Sequence, residues 1–354
     1  MVKVVRLSAA LLVLACGDGD RAKVAIQLQP PVVLDAAVDS IDLQATSPAI
    51  SGTVYVAAQL LQPPSGGVGI FDANGRFIRR VARSGKGPGE VSGVVGAGFG
   101  PGDTLWIIEH FALHAYTPPP HLAYVRTVRS AKPIAGRVTP FGVLSVSMVW
   151  GNSTVPLHTA PPVLTGWSGE EIARFGSERP PSESEAMMGP AVALDTSHVW
   201  HAAGNAYEVR FVAKDGTVSK RIARDVDWFP PGLSTTGHLW ETRPRPRIVD
   251  LTTDADGRVW VLILRAHPNW KSDPSRPRMT GPIAIASLPS RHDMSQYLES
   301  VIEVFDGTSG ALLASQTFGG DVVGFVSPDV LCRVDETADG RVVLKMFTMS
   351  LSPE

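Results

Sequence analysis

The amino-acid sequence predicts an all-β protein built as a six-bladed β-propeller, and three observations support this prediction. Short β-rich segments are separated by turn residues along the chain, which has 34 Gly and 29 Pro among 354 residues. Long helical periodicity is almost absent, which favours many short strands over helices. A strand-and-turn pattern also recurs about every 40–50 residues, and such a period is typical of propeller blades.

The recurrent pattern is a turn followed by a strand with an aromatic residue near its start. It is found as Gly52-Thr-Val-Tyr55, Gly102-Asp-Thr-Leu-Trp106, Ser197-His-Val-Trp200 and Asp256-Gly-Arg-Val-Trp260, and without the aromatic residue as Asp339-Gly-Arg-Val-Val343. A strand–turn–strand unit follows in three places, twice with the hairpin turns Asn74-Gly75 and Asp215-Gly216. These turns supply the positive φ angles that tight hairpins need.

The repeats divide the chain into blades at approximately 38–82, 91–130, 134–178, 188–224, 246–319 and 322–352. The last span has too few strands, and residues 24–34 contain a strand-like segment with no blade of its own. We therefore expect the N-terminal strand to close the last blade, because this pairing removes a free sheet edge. Five or seven blades are the alternatives, since residues 141–175 match the pattern poorly.

The N-terminus has the features of an export signal. A basic stretch, Met1 to Arg6, precedes an apolar run from Leu7 to Ala15 that is too short to span a bilayer. The run ends in Val13-Leu-Ala-Cys16, which resembles the lipobox of bacterial lipoproteins. The resemblance implies cleavage before Cys16 and lipidation of this residue; the alternative is a plain signal peptide with a chance cysteine. The domain plan is then a signal peptide at 1–15, a lipidated tether at 16–23 and a propeller at 24–354.

Cysteine content and charge limit the possible partners. Cys332 is the only other cysteine and lies in an apolar strand-like segment, so we interpret it as a core residue and expect no disulfide framework. The formal net charge is −2, with 19% charged residues, so there is no global basic footprint for nucleic acid. The expected partners are a membrane, through the lipid anchor, and an envelope protein or a small anionic ligand.

One longer motif indicates a family. The stretch Phe71 to Arg80, followed by Gly85-Lys-Gly-Pro-Gly-Glu90, resembles the six-bladed propeller lipoproteins related to NHL-repeat proteins. In that family an aromatic residue commonly follows this motif, whereas here the position is Val91. The resemblance implies the fold and a location in the cell envelope, in the outer membrane if the host is Gram-negative. It implies little about chemistry, because one fold carries many functions.

Loop lengths indicate which face of the disc carries a site. Connections between the first and second and between the third and fourth strands of a blade are short turns, whereas the connections on the opposite face are long, including 225–246 and an insertion at 265–300. Long loops in a compact domain are usually functional, so we expect any site on this second face, around the mouth of the central channel. Arg and Trp are favoured in recognition surfaces, and the Arg243-Pro-Arg-Pro-Arg247 run is held extended by its prolines. The candidate ligand-binding residues are His238, Trp240, Arg243, Arg245, Arg247, Arg265, His267 and Trp270.

The sequence contains no recognisable catalytic motif. It has no H-E-x-x-H, G-x-S-x-G or Walker sequence. The segment 85–90 lacks the Lys-Ser/Thr ending of a phosphate loop, and Pro88 removes a backbone donor. His110 and His114 are four residues apart, but in a β context they do not share a face as on a helix. No cofactor is expected. A calcium site in the channel would depend on the weak candidates Asp195, Asp250 and Asp335, which are expected on the inner strands of three blades, although each is more typical of a turn or a strand end.

These observations favour a lipid-anchored propeller that acts as a non-catalytic binding or interaction scaffold. The alternatives are a metal-dependent propeller hydrolase or lyase of the lactonase type, and a structural subunit of an envelope complex with the insertion at 265–300 as its docking arm.

Overall fold

A computed structural model describes residues 13–16, 24–35, 46–52, 54–59, 67–132, 134, 136–146, 148–149, 158–159, 161–176, 188–203, 206–230, 242–273, 297–320, 322–339 and 341–353. These residues form strands and the turns between them, with one short 3-10 turn at Pro101–Asp103. Six small sheets are arranged as the six blades of a β-propeller, which confirms the predicted fold class and decides against five or seven blades.

The blades follow one another along the chain. Blade 1 contains β4 (Thr46–Ser51), β5 (Val54–Gln59), β6 (Gly67–Phe71), β7 (Phe77–Ser84) and the short β8 (Glu90–Val91). Blade 2 contains β9 (Val94–Phe99), β10 (Leu105–Glu109), β11 (Ala112–Tyr116) and β12 (Tyr124–Arg129). Blade 3 contains β13 (Gly136–Thr139), β14 (Gly142–Ser145), β17 (Val163–Thr165) and β18 (Glu171–Arg174).

Blades 4 and 5 follow, and the four strands of blade 5 have seven to nine residues each. Blade 4 contains β19 (Met188–Ala193), β20 (His198–Ala203), β21 (Glu208–Ala213) and β22 (Val218–Arg224), and β1 (Val13–Cys16) pairs in parallel with β22. Blade 5 contains β23 (Arg247–Thr253), β24 (Arg258–Ala266), β25 (Leu298–Asp306) and β26 (Leu312–Gly319).

Blade 6 is completed by the N-terminal segment. Its own strands are β27 (Val322–Ser327), β28 (Val330–Glu336) and β29 (Val342–Pro353). The outer edge of β29 pairs antiparallel with β2 (Val24–Leu28) and β3 (Val32–Leu34). The predicted closure is therefore confirmed, and pairing the two ends of the propeller removes the free edge that β29 would otherwise present.

The core consists of one apolar cluster at each blade-to-blade interface. Each of these six interface clusters combines side chains of two neighbouring blades, including blades 6 and 1, so the ring is closed. Burial of these faces is the main stabilising term of such a fold. Representative pairs, in ring order from blades 1 and 2, are Val56 and Leu105, Leu113 and Val143, Leu164 and Val199, Val209 and Val261, Ile302 and Leu331, and Cys332 and Phe71. Cys332 is buried in the core, as its apolar context predicts.

Blade 3 departs from the repeat for a structural reason. Its strands have only three or four residues each, and a two-stranded ribbon, β15 (Met148–Val149) with β16 (His158–Thr159), is inserted between its second and third strands. Short strands interrupted by an insertion carry little of the repeating pattern, which explains the poor match of residues 141–175.

No helix among the described residues is long and apolar enough to cross a membrane.

Candidate functional site

A cavity of about 480 Å³ lies where blades 4 and 5 meet, on the face of the long connections. Four stretches of chain surround it: the segment after β22, the Arg-Pro segment before β23, the end of β24 and the start of β25. Its lining is Asp227, Trp228, Pro230, Arg243, Pro244, Arg245, Pro246, Arg265, Ala266, Pro268 and Glu299. Because these residues come from two blades only, the cavity lies to one side of the central channel, whereas the loop pattern placed a site around the channel mouth.

The Arg-Pro segment forms one wall of the cavity. Residues 243–246 alternate Arg and Pro and adopt no regular secondary structure before β23 begins at Arg247. Proline fixes its own φ and restricts the residue before it, so this wall is held extended by its covalent structure. Arg243 is exposed and Arg245 is half-buried. The two guanidinium groups therefore belong to a wall whose backbone is stiff, so that ordering this backbone on binding costs little entropy.

The opposite wall is organised around Arg265. Its Nε donates to Oε1 of Glu299 at 2.6 Å, and its guanidinium carbon lies 4.8 Å from the centroid of the Trp228 ring. Glu299 is buried in β25, and Arg265 and Glu299 are cross-strand partners in the β24–β25 ladder. Salt bridge and cation–π contact together restrict the Arg265 side chain to one orientation.

The charges of the lining leave a small positive excess. Three arginines face two carboxylates, and one carboxylate, Glu299, is already paired with Arg265. Pro and Trp side chains supply most of the remaining surface. Such a cavity suits an anion with an apolar body, because guanidinium groups bind carboxylate or phosphate and the Trp and Pro faces cover the rest.

The structure brings together three of the eight predicted ligand-binding residues, Arg243, Arg245 and Arg265. Arg247 is the exposed first residue of β23 and lies outside the lining. His267 and Trp270 shape the loop beside the cavity: the His267 backbone N–H donates to the Tyr297 carbonyl at 2.8 Å, and Trp270 packs against the cluster of Leu264, Tyr297 and Leu298. His238 and Trp240, like residues 274–296 of the proposed docking arm, lie outside the described residues.

Sequence reasoning did not select Glu299 or assign a role to Trp228. The signal for Glu299 was available. The segment Leu298 to Phe305 is mostly apolar, and its two acidic residues, Glu299 and Glu303, are candidates for buried ion pairs. Trp228 directly precedes the buried Phe229, and its role emerges only from the position of Arg265 in space.

The three weak metal candidates do not converge. Asp195 lies in the turn after β19 and accepts hydrogen bonds from the backbone N–H groups of Ser197 and His198. Asp335 lies in β28, the second strand of blade 6, where it pairs with Arg333 and Lys345. The expectation that all three come from inner strands is therefore wrong for Asp195 and Asp335. The described part of the chain contains no group of three or more His, Cys, Asp or Glu that could hold a metal ion.

Asp250 does lie on an inner strand, but its carboxylate already accepts hydrogen bonds from other residues of the protein. It accepts from Nη2 of Arg137 at 2.7 and 2.6 Å and from the backbone N–H groups of Leu251 and Phe325 at 2.8 and 2.7 Å. Arg137 belongs to blade 3, Asp250 to blade 5 and Phe325 to blade 6, so this ion pair crosses the central channel. Arg137 also donates to the carbonyls of Leu251 and Phe325. A calcium ion on Asp250 would have to displace an arginine that makes four hydrogen bonds.

The Gly85-Lys-Gly-Pro-Gly-Glu90 segment is a structural joint between blades 1 and 2. Glu90 folds back on its own loop, where Oε2 accepts from the Gly87 N–H at 2.8 Å, so the loop already contains an anion. Gly89, at φ +74°, lies against the side chain of Tyr124, and its carbonyl accepts from the Tyr116 hydroxyl at 3.0 Å. The glycines thus allow close approach of two blades, and the Glu90 carboxylate already occupies the Gly87 N–H of the loop.

His110 and His114 have separate environments. His110 is exposed in the turn between β10 and β11. His114 is buried, with Nε2 3.2 Å from Oε2 of Glu109 and Nδ1 3.0 Å from the Thr127 hydroxyl. Burial favours a higher pKa for Glu109, but hydrogen bonds from Ser92, His114 and Gly93 outweigh it and lower the pKa. This network is internal to blade 2.

No family model and no curated protein sequence matches the chain. Among solved structures, the fold is similar to a protein of Bacteroides fragilis described as exported, at 9% identity and a TM-score of 0.55 over 95% of this chain and 98% of that one. It is also similar to a gluconolactonase of Xanthomonas campestris, at 13% identity and a TM-score of 0.45 over 94% and 98% of the two chains. Sqt1 of Saccharomyces cerevisiae matches at 9% identity and a TM-score of 0.44 over 87% and 83%. At these identities the likenesses concern the fold alone.

Proposed function

We propose that the protein is a lipid-anchored binding propeller of the cell envelope and that the cavity between blades 4 and 5 binds a small organic anion. The observation that supports this most strongly is the arrangement around Arg265, which Glu299 and Trp228 hold in one orientation beside the stiff Arg-Pro wall. Preorganised guanidinium groups lose little freedom on binding, so more of their interaction with an anion remains as affinity.

The shape of the cavity supports a ligand of modest size. Its volume of about 480 Å³ lies within the range of roughly 300–1,000 Å³ typical of small-molecule sites. The positive excess of one favours a monoanion, and the Trp and Pro surfaces favour a ring or short apolar body. A carboxylate on an apolar frame satisfies both requirements.

The lining supports binding rather than catalysis. The described lining contains no Ser, Cys, His or Tyr, and of its two carboxylates Glu299 is already paired with Arg265. The alternative of a metal-dependent hydrolase or lyase requires converging acidic side chains, and Asp195, Asp250 and Asp335 lie in separate environments.

Benzoate and its uncharged isostere benzamide are suitable probes for the cavity. The full chain should bind benzoate more tightly than benzamide in isothermal titration calorimetry, because only the carboxylate gains guanidinium hydrogen bonds. Arg243→Met and Arg245→Met should each weaken benzoate binding by about tenfold, the effect of losing one charge-assisted hydrogen bond of roughly 1.5 kcal/mol. Arg258→Met, at the start of β24 and outside the cavity, is the matched control.

Two results would refute the cavity proposal. One is equal affinity for benzoate and benzamide, which would exclude recognition of the negative charge. The other is the absence of benzoate binding by the full chain, which would exclude this class of ligand.

The anchoring part of the proposal depends on Cys16. The structure pairs residues 13–16 with the outer strand of blade 4, and cleavage before Cys16 would remove three residues of β1 and free that edge. Expression with labelled palmitate should label the wild-type chain and place it in the membrane fraction, whereas Cys16→Ser should be unlabelled. Equal labelling of both chains would contradict lipidation at Cys16.

A further inference from the structure

The outer rim of blades 6, 1 and 2 combines exposed apolar side chains with exposed arginines. Four large hydrophobic residues of this rim are unusually accessible: Val33 is 39% exposed, Ile78 53%, Tyr124 36% and Val125 53%. Exposed apolar side chains scattered singly need no explanation, but a grouped set marks an interaction surface. Together with the arginines interspersed among them these residues form what we name the rim strip: Val33, Arg76, Ile78, Arg79, Tyr124, Val125 and Arg126.

Direct contacts show that the rim strip is continuous. The turn before β7 touches β3, because a Cβ on Gly75 would lie 2.0 Å from the Val33 carbonyl oxygen, and Asp35 forms a β-bridge with Arg76. On the other side, the Arg79 guanidinium donates to the carbonyl of His121, just before β12. The outer strands of three successive blades therefore meet along one edge of the disc.

The charge of this region is strongly positive. Residues 32–35, 72–90 and 121–132 together contain eight Lys and Arg but only three Asp and Glu, in a chain whose net charge is −2. Asp72 and Glu90 accept hydrogen bonds from backbone N–H groups of their own loops, and Asp35 pairs with Arg341. Within the described part of the chain, Arg79 and Arg126 form no ion pair with a carboxylate, and both are exposed.

We propose that the rim strip is a docking surface for a membrane rich in anionic lipid headgroups. Arginines interspersed with aliphatic side chains and a tyrosine are complementary to such a surface, where phosphates meet the edge of the hydrocarbon. The β2–β3 segment, which carries Val33, also follows directly after the predicted tether at residues 16–23. Once cleavage before Cys16 releases this residue from the edge of blade 4, residues 17–23 connect it to the β2–β3 segment, and a lipid anchor at Cys16 would hold the strip near the bilayer; in this clause only, the inference depends on the proposed anchor.

The experiment uses the full chain with Cys16→Ser, so that no acyl chain contributes to binding. Vesicles of phosphatidylcholine mixed equally with phosphatidylglycerol are compared with vesicles of phosphatidylcholine alone in a sedimentation assay at about 0.1 M salt, where the Debye length is about 10 Å. The protein should bind the anionic vesicles and bind the neutral vesicles at least tenfold more weakly.

Variants of the strip test which surface makes the contact. Each basic side chain near an anionic membrane contributes about 1 kcal/mol, which corresponds to about fivefold in the partition coefficient. Arg79→Glu with Arg126→Glu should therefore weaken binding by at least about 25-fold. Lys214→Glu with Lys220→Glu, on blade 4, changes the net charge by the same amount and should change binding by less than about threefold.

A third variant tests the apolar part. Ile78→Ser with Val125→Ser leaves every charge in place and should weaken binding about tenfold, with a loss that persists when salt screens the charges. Thermal unfolding of each variant, within a few degrees of the parent, excludes a folding defect.

Two outcomes would overturn the proposal. If the parent chain does not bind the anionic vesicles, a membrane is not the partner of the strip. If the blade 4 variant loses as much binding as the strip variant, the interaction follows net charge and not this surface. Neither outcome bears on the cavity, whose benzoate titration is independent of the rim.

Discussion

The ion pair that crosses the central channel provides the sharpest prediction of stability. Replacing Asp250 with Ala removes the carboxylate that connects blades 3, 5 and 6 through Arg137 and the Phe325 N–H. Asp250 and Phe325 are buried, so the Phe325 N–H would lose its acceptor in a place where water does not replace it easily.

The expected magnitude follows from these contacts. A buried donor without a partner costs about 1–3 kcal/mol, and breaking a buried ion pair costs about 3–5 kcal/mol. The Arg137 side chain is 35% exposed, so water partly solvates the cation that is left behind. We therefore expect Asp250→Ala to lower the free energy of unfolding by about 3 kcal/mol, at the lower end of the range for buried pairs.

The double-mutant cycle isolates the interaction itself. Arg137→Ala should cost about 2 kcal/mol, and the double variant little more than Asp250→Ala alone, which gives a coupling energy of about 1.5–2 kcal/mol. Urea unfolding followed by the fluorescence of the eight tryptophans gives the free energy of unfolding of the wild type, the two single variants and the double variant without adding salt. Asp256→Ala, which removes an exposed partner of Arg258, is the matched control and should cost less than about 0.5 kcal/mol.

The reasoning would be refuted by either of two results. Asp250→Ala could prove no more destabilising than the Asp256→Ala control. Alternatively, the effects of Asp250→Ala and Arg137→Ala could be additive within about 0.5 kcal/mol, which would mean that the two side chains do not act together.

Three further predictions concern other side chains. Glu303→Gln should lower the free energy of unfolding by about 3–4 kcal/mol in urea, since it leaves the Arg224 cation without its buried counter-charge between blades 4 and 5; a loss below about 1 kcal/mol would contradict this. Burial raises the pKa of Tyr116 to about 12, helped by the charges of Tyr124 and Glu109. The folded state therefore holds the phenol proton more tightly than the unfolded chain, and this stabilisation is complete below pH 10 and lost as the pH rises to about 12. Stability should fall by about 2–3 kcal/mol over this interval, and Tyr116→Phe should lack this component; an unchanged pH profile in Tyr116→Phe would refute the assignment. Gly324→Ala should cost about 2–3 kcal/mol, because its Cβ would lie 2.6 Å from Oδ2 of Asp250, and a melting temperature equal to wild type would show that the site relaxes freely.

The fold could be predicted from the sequence because its signals are local and repeated. Turns such as Asn74-Gly75 and Asp256-Gly257 depend on backbone conformation within a few residues, and the structure has both where the pattern requires them. Blade 3 was the weakest part of the prediction, since its strands of three or four residues are too short to carry the periodic pattern.

The candidate site was predictable only in part. The unusual Arg-Pro composition led to Arg243 and Arg245, and the long insertion led to Arg265. The metal candidates illustrate the limit. The local sequence around an Asp in a strand does not distinguish a residue that faces the channel, such as Asp250, from one that pairs with neighbours on its own sheet, such as Asp335.

The sequence by itself determined the all-β class, the six-fold repetition, the closure of the last blade by residues 24–34 and the face with the long connections. These features follow from propensities and turn geometry that act over a few residues. Only the tertiary structure decided that Arg265 is held by Glu299 and Trp228, that Arg137 crosses the channel to Asp250, and that the exposed side chains of three blades form one rim. Such contacts join residues up to 113 positions apart, and their energy depends on burial and distance, which no local pattern encodes.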